Sequence, residues 1–269
     1  MSDPVLQSQI EAARAYEAMF VPGLFGEWAP RLAAATGIHP GQRVLDVACG
    51  TGVLARAVQS LSGPTGYVAG LDPNPGMLVV ARDLADTVDW RLGVAESIPF
   101  PENTFDAVVS QFGLMFFDDR RQALREMLRV LTADGRLGVA VWDAVAAMPA
   151  YADETALLER LAGNQAANAI RAPFVLGDRQ QLSELFGQAG AASVAVATHE
   201  GVARFPSIRT MIEADLRGWL PVMGVKLTEE QIGIILREAE DVFSPYSGAD
   251  GRVQFATRAH FVTASPSLH

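Results

Sequence analysis

An acid and two glycines at the end of an apolar run are the first residues of this chain that could bind a ligand. They lie in residues 44–55, which read VLDVACGTGVLA. Gly50 and Gly52 carry no side chain, so the backbone there can approach a ligand closely. Asp72 follows Gly52 by 20 residues, the spacing at which an acid accepts hydrogen bonds from ribose hydroxyls. This combination indicates a ligand that contains a nucleoside.

The same glycines leave two ligand classes open, and Asp46 distinguishes them. Gly50, Gly52 and Ala55 fit the G-x-G-x-x-A pattern of dinucleotide sites, so a nicotinamide cofactor is one alternative. Asp46 lies four residues before Gly50, where its charge would repel a diphosphate and attract a cation such as the ammonium group of an amino acid. A ligand with a ribose and an amino-acid end suits both acids, and S-adenosylmethionine is such a ligand.

Four segments follow one another along the first half of the chain: VLDVACGTG, GLDPNPGML, GVAESIPFPENTFDAVVSQFGLMFF and REMLRVLTADGRLGVAVWD. In this order they resemble the motifs of class I S-adenosylmethionine-dependent methyltransferases. The similarity is to the ubiquinone/menaquinone-biosynthesis-like group, which has the methyltransferase type 11 domain, and it covers residues 40–143. The resemblance implies a Rossmann-like fold, S-adenosyl-L-methionine as cofactor, and transfer of a methyl group to a small organic acceptor.

The resemblance further implies cofactor contacts at the ends of the first two strands. The residues implied to hold the methionine and ribose parts are Asp46, Gly50, Gly52, Asp72, Asn74 and Met77. Asp46 and the two glycines match the positions that hold the methionine part. Asp72 matches the acid that binds the ribose.

The adenine end of the cofactor is implied to lie beside the ends of strands three and four. Ala95 and Glu96 match the segment next to the adenine. Ser110 and Gln111 match the end of strand four, whose backbone commonly faces the cofactor's amino group. One position departs from the family, because Val94 stands where many relatives have Asp or Asn to bind the adenine amino group. Adenine recognition would then depend on backbone groups near Ala95 and on Glu96.

Aromatic residues are frequent near the N-terminus, at Tyr16, Phe20, Phe25 and Trp28. In similar enzymes an N-terminal helix folds over the cofactor, and an aromatic residue there shields the sulfonium from water. We predict that Tyr16 or Phe25 has this role. The alternative is that both residues only pack the helix on the sheet.

Methyl transfer to an oxygen or carbon acceptor also requires removal of a proton. The candidate bases are Asp143, His199, His260 and Glu17. Asp143, which follows strand five, is the predicted catalytic residue, whereas the two histidines lie in predicted strands and are expected to be structural. The sequence has no Cys/His cluster with metal-ligand spacing, so no metal is expected.

The elements that position these residues alternate between strand and helix as far as Asp143. Strands are predicted at residues 43–48, 67–72, 88–95, 105–113, 136–143, 192–202 and 253–264. This order predicts an α/β fold with a doubly wound, seven-stranded, mostly parallel sheet. The predicted helices near the N-terminus cover residues 5–20 and 29–36, with a break at Pro22 and Gly23 between them.

The chain is predicted to have three parts. Residues 1–40 form an N-terminal helical cap, residues 41–143 the S-adenosylmethionine-binding core, and residues 144–269 the remainder of the sheet. The third part contains two helical lid insertions, at 144–190 and 206–244. Apolar residues in these insertions predict a mainly apolar acceptor pocket; they are Phe174, Val175, Leu176, Leu216, Trp219, Leu220 and Met223.

Composition limits the partners. The 269 residues have a formal net charge of −10, and Lys226 is the only lysine. An acidic surface repels phosphate backbones and anionic lipids, so neither nucleic acid nor membrane insertion is expected. The first residues lack the basic region of a signal peptide, which predicts a cytoplasmic protein. A small-molecule acceptor is the expected partner, and a homodimer stays open.

Two other functions remain compatible with these patterns. One is an NAD(P)-dependent oxidoreductase on a Rossmann-type fold, against which the charge of Asp46 argues. The other is a protein that binds S-adenosylmethionine without catalysis.

Overall fold

A seven-stranded sheet forms the centre of the computed structural model, which describes residues 4–267, and its strand order is β3-β2-β1-β4-β5-β7-β6. The strands are β1 Arg43–Val47, β2 Tyr67–Asp72, β3 Asp89–Leu92, β4 Phe105–Gln111, β5 Leu131–Trp142, β6 Ala191–Phe205 and β7 Val253–Pro266. The helices are α1 Pro4–Phe20, α2 Trp28–Thr36, α3 Val53–Ser62, α4 Pro75–Leu84, α5 Arg120–Arg129, α6 Pro149–Ala162, α7 Asn164–Arg171, α8 Arg179–Gln188, α9 Ile208–Glu213, α10 Leu220–Val222 and α11 Glu229–Phe243.

The first five strands run parallel, and β7 is antiparallel to both of its neighbours. The predicted doubly wound, mostly parallel sheet is thus confirmed. β1 is central and buried on both faces, with Val44, Leu45 and Val47 fully covered. Its neighbours are β2 on one side and β4 on the other, so the winding direction reverses at β1. Open α/β sheets bind their ligands outside the carboxyl ends of the strands at such a reversal.

The β6–β7 hairpin extends beyond the carboxyl-end rim of the sheet. The pairing of β5 with β7 stops at Trp142 and Ala259, whereas the pairing of β6 with β7 continues to Phe205 and Val253. Helices from the second half of the chain pack on this extension. The Tyr151 ring of α6, for example, meets the Phe255 ring of β7 edge to face at 5.5 Å. Helix α6, in the first predicted lid insertion, thus packs on the part of the hairpin beyond the rim; that the insertions form a lid over the site remains a prediction.

Three differences from the predicted elements have local causes. The predicted break after α1 is a π-helical turn, Val21–Phe25, closed by a 2.6 Å hydrogen bond from the Gly26 amide to the Val21 carbonyl. Pro22 stands in its first turn, where a missing N–H costs no hydrogen bond. β3 is shorter than predicted. β5 begins earlier, at Leu131, because an irregularity in its pairing with β4 accommodates the extra residues.

Local residues cap several helices. Gly37 ends α2 in the left-handed conformation, and the Asp178 side chain accepts hydrogen bonds at the start of α8. The capping box at Thr228 and Gln231 starts α11. Within residues 4–267, no helix combines the length and apolar character that a membrane span requires.

Candidate functional site

Two acids stand at the rim, on neighbouring strands. Asp46 is near the end of β1 and Asp72 is the last residue of β2, and the two strands pair in parallel. Asp72 accepts hydrogen bonds from the Gly50 amide at 2.9 Å and from the Asn74 amide at 2.8 Å. Asp46 is 1% exposed, yet neither of its oxygens has a hydrogen-bond partner among the described residues. Asp46 is therefore a buried carboxyl group that lacks the cation or donor it needs.

Burial dominates the electrostatics of both acids. It raises the pKa of Asp46 well above its usual range, and the charge of Asp72 raises it further. The Ala55 amide and Arg56 partly oppose this rise, although the amide falls short of hydrogen-bond geometry. Burial also raises the pKa of Asp72, and the amides of Asn74 and Gly50 lower it in part. A cationic ligand beside Asp46 would stabilise its ionised form.

The two glycines of the first turn have different roles. Gly50 has a φ of +54°, and an added Cβ would meet no protein atom within 4 Å, so open space lies beside it. Gly52 has a φ of +86°, and an added Cβ would overlap the ring of Trp90 on β3. The sequence predicted close ligand approach at both positions. The structure leaves ligand space at Gly50, whereas the space at Gly52 is filled by Trp90.

Further polar atoms without a partner lie near these acids. They belong to side chains on or next to the carboxyl ends of β1 and β4 and on α1: Thr51 Oγ1, Ser110 Oγ, Gln111 Oε1 and Glu17 Oε2. Ser110 is fully buried. A buried polar group without a hydrogen bond costs about 1–3 kcal/mol, and native proteins leave few of them unpaired. Their concentration at this rim fits a polar ligand bound across it.

Helix α1 covers the rim. Glu17 on α1 forms an ion pair with Arg56 on α3 at 2.7 Å, which holds the helix in place. The Tyr16 ring stacks on Phe25 at 5.4 Å. Burial and the neighbouring Glu17 raise the pKa of the Tyr16 hydroxyl, and the charges of Asp72 and Asp46 raise it further. Tyr16 is thus placed beside both rim acids, where the sequence predicted an aromatic cover.

An aromatic cluster continues this cover along the rim. Phe112, which follows β4, stacks face to face on Trp142 at the end of β5, with ring centroids 3.8 Å apart. Phe25 packs on both rings, at 5.7 and 6.2 Å. The Gln111 side chain donates a 3.1 Å hydrogen bond to the Phe25 carbonyl. Gln111 therefore connects the end of β4 to the π-helical turn, a contact that the sequence did not indicate.

Asn74 and Met77 lie at the start of α4, next to Asp72. The Asn74 side chain accepts hydrogen bonds from the amides of Gly76 and Met77, at 2.8 and 3.2 Å, and so caps the helix. The Met77 side chain is half-buried. The cap fixes the backbone that follows Asp72. Direct cofactor contacts by Asn74 and Met77 remain predictions.

The segment predicted to lie beside the adenine follows β3 and contacts the start of α5. Ala95 is buried, whereas Val94 is 46% exposed. The Glu96 carboxylate accepts a 3.3 Å hydrogen bond from the Asp119 amide, and its carbonyl accepts one of 3.3 Å from the Gln122 side chain. Glu96 therefore fixes the start of α5. A contact of Ala95 or Glu96 with adenine remains a prediction.

The candidate bases have partners of their own. Asp143 follows β5, is 8% exposed, and accepts a 2.7 Å hydrogen bond from the Ala144 amide. Arg258 Nε lies 3.2 Å from its Oδ2, and His260 Nε2 lies 3.2 Å from its Oδ1. The other ring nitrogen of His260 lies 2.9 Å from the Thr198 hydroxyl. This network occupies Asp143, and its role as a base remains a prediction.

The two remaining candidate bases are also engaged. Glu17 pairs with Arg56, and His199 on the edge strand β6 packs its ring on Phe261 at 4.3 Å. Burial lowers the pKa of His199, with a smaller effect from Arg31. Asp143, His260 and Glu17 thus have polar partners of their own, whereas the contact of the His199 ring within residues 4–267 is the one with Phe261.

Asp143→Asn tests whether this network is structural. The neutral side chain loses its ion pairs, so we expect the free energy of unfolding to fall by about 1–3 kcal/mol, with unchanged affinity for S-adenosylhomocysteine. Thermal unfolding and calorimetric titration measure the two quantities. Asp134→Asn, at an exposed acid within β5, is the matched control. Unchanged stability together with a methyl-transfer rate reduced more than about 100-fold would instead support a base.

Comparison with known proteins bears on which cofactor this edge of the sheet binds. Residues 45–139 match a family model described as a methyltransferase domain. The core of this chain is therefore similar to methyltransferase domains. The match spans both rim acids, the glycine turn and the end of β4. Similarity to a methyltransferase domain favours S-adenosylmethionine over a nicotinamide dinucleotide as the cofactor.

Curated relatives share this domain. The ubiquinone/menaquinone biosynthesis C-methyltransferase of Ectopseudomonas mendocina is 45% identical over 121 residues, which is 43% of this chain and 47% of the relative. Its counterpart in Pseudomonas savastanoi is 45% identical over 108 residues, or 38% and 42% of the two chains. The chain thus matches about half the length of these relatives.

Solved structures share the fold of the whole chain at low identity. The YcgJ protein of Bacillus subtilis has a TM-score of 0.58 at 20% identity and covers 90% of this chain and 100% of its own. A methyltransferase from an antibiotic biosynthesis pathway of Anabaena variabilis has a TM-score of 0.61 at 14% identity, covering 87% and 96% of the two chains. These similarities therefore extend over most of the chain, beyond residues 45–139.

The protonation of Asp46 predicts a pH dependence of cofactor binding. Its pKa is raised in the free protein, and a bound ammonium group would lower it. Binding should then release a proton, so the affinity for S-adenosylhomocysteine should rise as pH increases from the usual aspartate range towards neutrality. Calorimetry in buffers of different ionisation enthalpy measures the released proton. Asp46→Asn should release none; equal proton release by this variant would contradict the assignment.

Proposed function

We propose that the chain transfers the methyl group of S-adenosylmethionine to a small, mainly apolar organic acceptor held beneath the lid. The observation that supports this most directly is the unpaired, buried carboxyl group of Asp46 beside Asp72, within a methyltransferase domain. Asp46 would hold the ammonium end of the cofactor, and Asp72 would accept hydrogen bonds from the ribose hydroxyls. Gly50 leaves room for the backbone to follow the ligand.

The chemistry requires alignment more than acid or base strength. When bound, the cofactor supplies an activated methyl group on a positively charged sulfur. The protein's residues would orient it between the two acids and exclude water with Tyr16 and Phe25. Fixed orientation of reacting groups contributes up to roughly 7–11 kcal/mol. For an oxygen or carbon acceptor, Asp143 stays the proposed base, and it would have to be released from Arg258 and His260 to accept the proton.

The acceptor side is proposed to be the space between the rim and the helices of the second half of the chain. The Phe116 ring, which follows β4, packs on Trp219 at 5.3 Å, and Phe174 packs on Tyr151 at 5.1 Å. These rings support an apolar acceptor. The curated relatives are named C-methyltransferases, which favours a carbon acceptor, although the similarity covers less than half of this chain.

The three predicted parts of the chain would have separate roles in binding the cofactor and the acceptor. Residues 1–40 would cover the cofactor, residues 41–143 would bind it, and residues 144–269 would complete the sheet and enclose the acceptor. Limited proteolysis with and without S-adenosylhomocysteine tests this division, because a bound cofactor should protect the first part from cleavage.

Two measurements test the function. Titration with S-adenosylhomocysteine should give saturable binding, and NADH at the same concentrations should give none. Incubation of the protein with methyl-labelled cofactor and cell extract should then label a small molecule, which mass analysis identifies together with the methylated atom. Binding of S-adenosylhomocysteine without any labelled product would favour the non-catalytic alternative. Binding of NADH alone would overturn the proposal.

A further inference from the structure

A second pair of acids is buried in the lid, apart from the rim. Glu154 lies on α6, and Asp215 lies in the π-helical turn Ala214–Trp219 that follows α9. Glu154 is fully buried and Asp215 is 7% exposed. The two carboxyl groups face each other across two separate elements of the lid. Buried charges normally have a cation or several hydrogen-bond donors as partners, so their surroundings are informative.

The surroundings supply no cation. Both oxygens of Glu154 lack a hydrogen-bond donor among the described residues, and the carboxyl group opposite is Asp215. The other titratable group that faces the pair is the Tyr151 hydroxyl on α6, whose pKa burial and both acids raise. Four basic side chains of the adjoining elements are engaged in ion pairs with other acids: Arg160 with Glu238, Arg171 with Glu159, Arg209 with Glu213, and Arg217 with Glu229. Arg237, on α11, is exposed to solvent.

One proton shared between the two carboxyl groups removes the repulsion that two buried negative charges would have. With one proton, the Glu154 carboxyl group donates a hydrogen bond to the Asp215 carboxylate, and the pair carries a single charge. Burial raises the pKa of Asp215 to about 7, and burial together with Asp215 raises the pKa of Glu154 well above its usual range. Loss of the shared proton leaves two like charges in an apolar layer, which repel each other.

The π-helical turn that carries Asp215 also closes the lid. The Trp219 indole donates a 2.8 Å hydrogen bond to the Ala169 carbonyl of α7, and its ring packs on Phe116 at 5.3 Å. Gly218 lies against the Phe20 ring at the end of α1. The same short segment therefore contacts the cover of the rim, the turn after β4 and the helices of the lid. π-helical turns inside α-helices are frequent at functional sites.

We propose that Glu154 and Asp215 form a proton-operated latch, which holds the π-helical turn against α6 while one proton is shared and releases it when that proton is lost. The inference rests on the proposed function only in treating this segment as a lid over the acceptor. Its test needs neither cofactor nor acceptor, so failure of the latch and failure of methyl transfer are separate results.

The direction of the pH effect follows from proton binding. An opened lid exposes the acids to water, where both have ordinary pKa values near 4. The closed lid therefore binds more protons than the open one from about pH 4 up to the raised pKa of Glu154, and closure weakens as pH rises through this range. One proton of difference changes the opening equilibrium up to about tenfold per pH unit within this range. Above it the dependence levels off.

Hydrogen–deuterium exchange of residues 206–224, corrected for the intrinsic pH dependence, measures lid opening in the whole protein. The wild-type protein should open progressively more as pH rises, relative to residues 43–47 of β1. Glu154→Gln should remain protected throughout, because the amide donates permanently to Asp215. Asp215→Asn should behave in the same way, because its amide would donate a hydrogen bond to Glu154. Glu159→Gln, on the surface of α6, is the control and should behave as wild type.

Each outcome decides the proposal. The latch is supported if exchange of residues 206–224 rises with pH in the wild type and in Glu159→Gln, and if this rise is absent in either Glu154→Gln or Asp215→Asn. Exchange of residues 206–224 that does not change with pH in the wild type overturns it. An unchanged slope in a folded Glu154→Gln or Asp215→Asn protein overturns it as well. Circular dichroism of each variant identifies a failure to fold, and the second amide variant then provides the result.

Discussion

Replacing Asp72 with alanine is expected to weaken the binding of S-adenosylhomocysteine at least about 100-fold. Two hydrogen bonds between a carboxylate and the ribose hydroxyls contribute about 1.5–3 kcal/mol each, and every 1.4 kcal/mol is a factor of about ten in the dissociation constant. Asp72 also accepts hydrogen bonds from the amides of Gly50 and Asn74. The variant would therefore lose both the ribose contact and part of the shape of the site. Isothermal titration calorimetry measures the change.

The control for this variant is Asp83→Ala. Asp83 is on α4, near Asp72 in the chain, and its side chain is 60% exposed beside Arg14. Loss of an exposed ion pair costs at most about 1 kcal/mol, so stability and affinity should both stay close to wild type. If Asp72→Ala bound S-adenosylhomocysteine within a few-fold of the wild type, the assignment of Asp72 to the ribose would be wrong.

The second large effect is expected at Gly52. An alanine there would hold a left-handed φ at a cost of about 1–2 kcal/mol, and its Cβ would overlap the buried Trp90 ring, which adds about 1–3 kcal/mol of overpacking. The free energy of unfolding of Gly52→Ala should fall by about 2–5 kcal/mol. For a chain of this size, the melting temperature should fall by about 5–15 °C.

Gly50→Ala is the matched comparison. It has the same kind of strained φ, but open space surrounds its Cβ, so we expect a loss of only about 1–2 kcal/mol. Its affinity for S-adenosylhomocysteine should fall steeply, because the added methyl group would enter the proposed ligand space. Equal stability of the two variants would show that Trp90 does not restrict Gly52. Normal affinity in Gly50→Ala would move the ligand away from this turn.

The sequence predicted the strands that position the site better than the segments that cover it. β2 was predicted at residues 67–72 and is observed at Tyr67–Asp72, because an apolar run that ends in an acid before a proline leaves little alternative. The π-helical turns were not predicted. Pro22 and Gly23 ordinarily end helices, and their i→i+5 hydrogen bonding depends on contacts with distant parts of the chain.

The sequence also indicated which residue types lie at the rim, but it did not indicate which residues they contact. Asp46 and Asp72 follow from spacing alone. The stacking of Phe112 on Trp142, by contrast, joins two strands whose order in the sheet had to be known first. The network of Asp143 with Arg258 and His260 spans more than 100 residues of chain and depends on the antiparallel pairing of β5 with β7. Local patterns contain no information on such pairings.

The extension of the β6–β7 hairpin beyond the rim has a consequence for how such a protein can change over time. All of the rim acids and glycines precede residue 143, whereas the helices packed on the extended hairpin come after it. Substitutions, insertions or exchange of the later segments can therefore alter the shape offered to an acceptor and leave the nucleoside-binding edge intact. A chimaera with the later half of a structural relative should keep its affinity for S-adenosylhomocysteine and acquire a different range of acceptors.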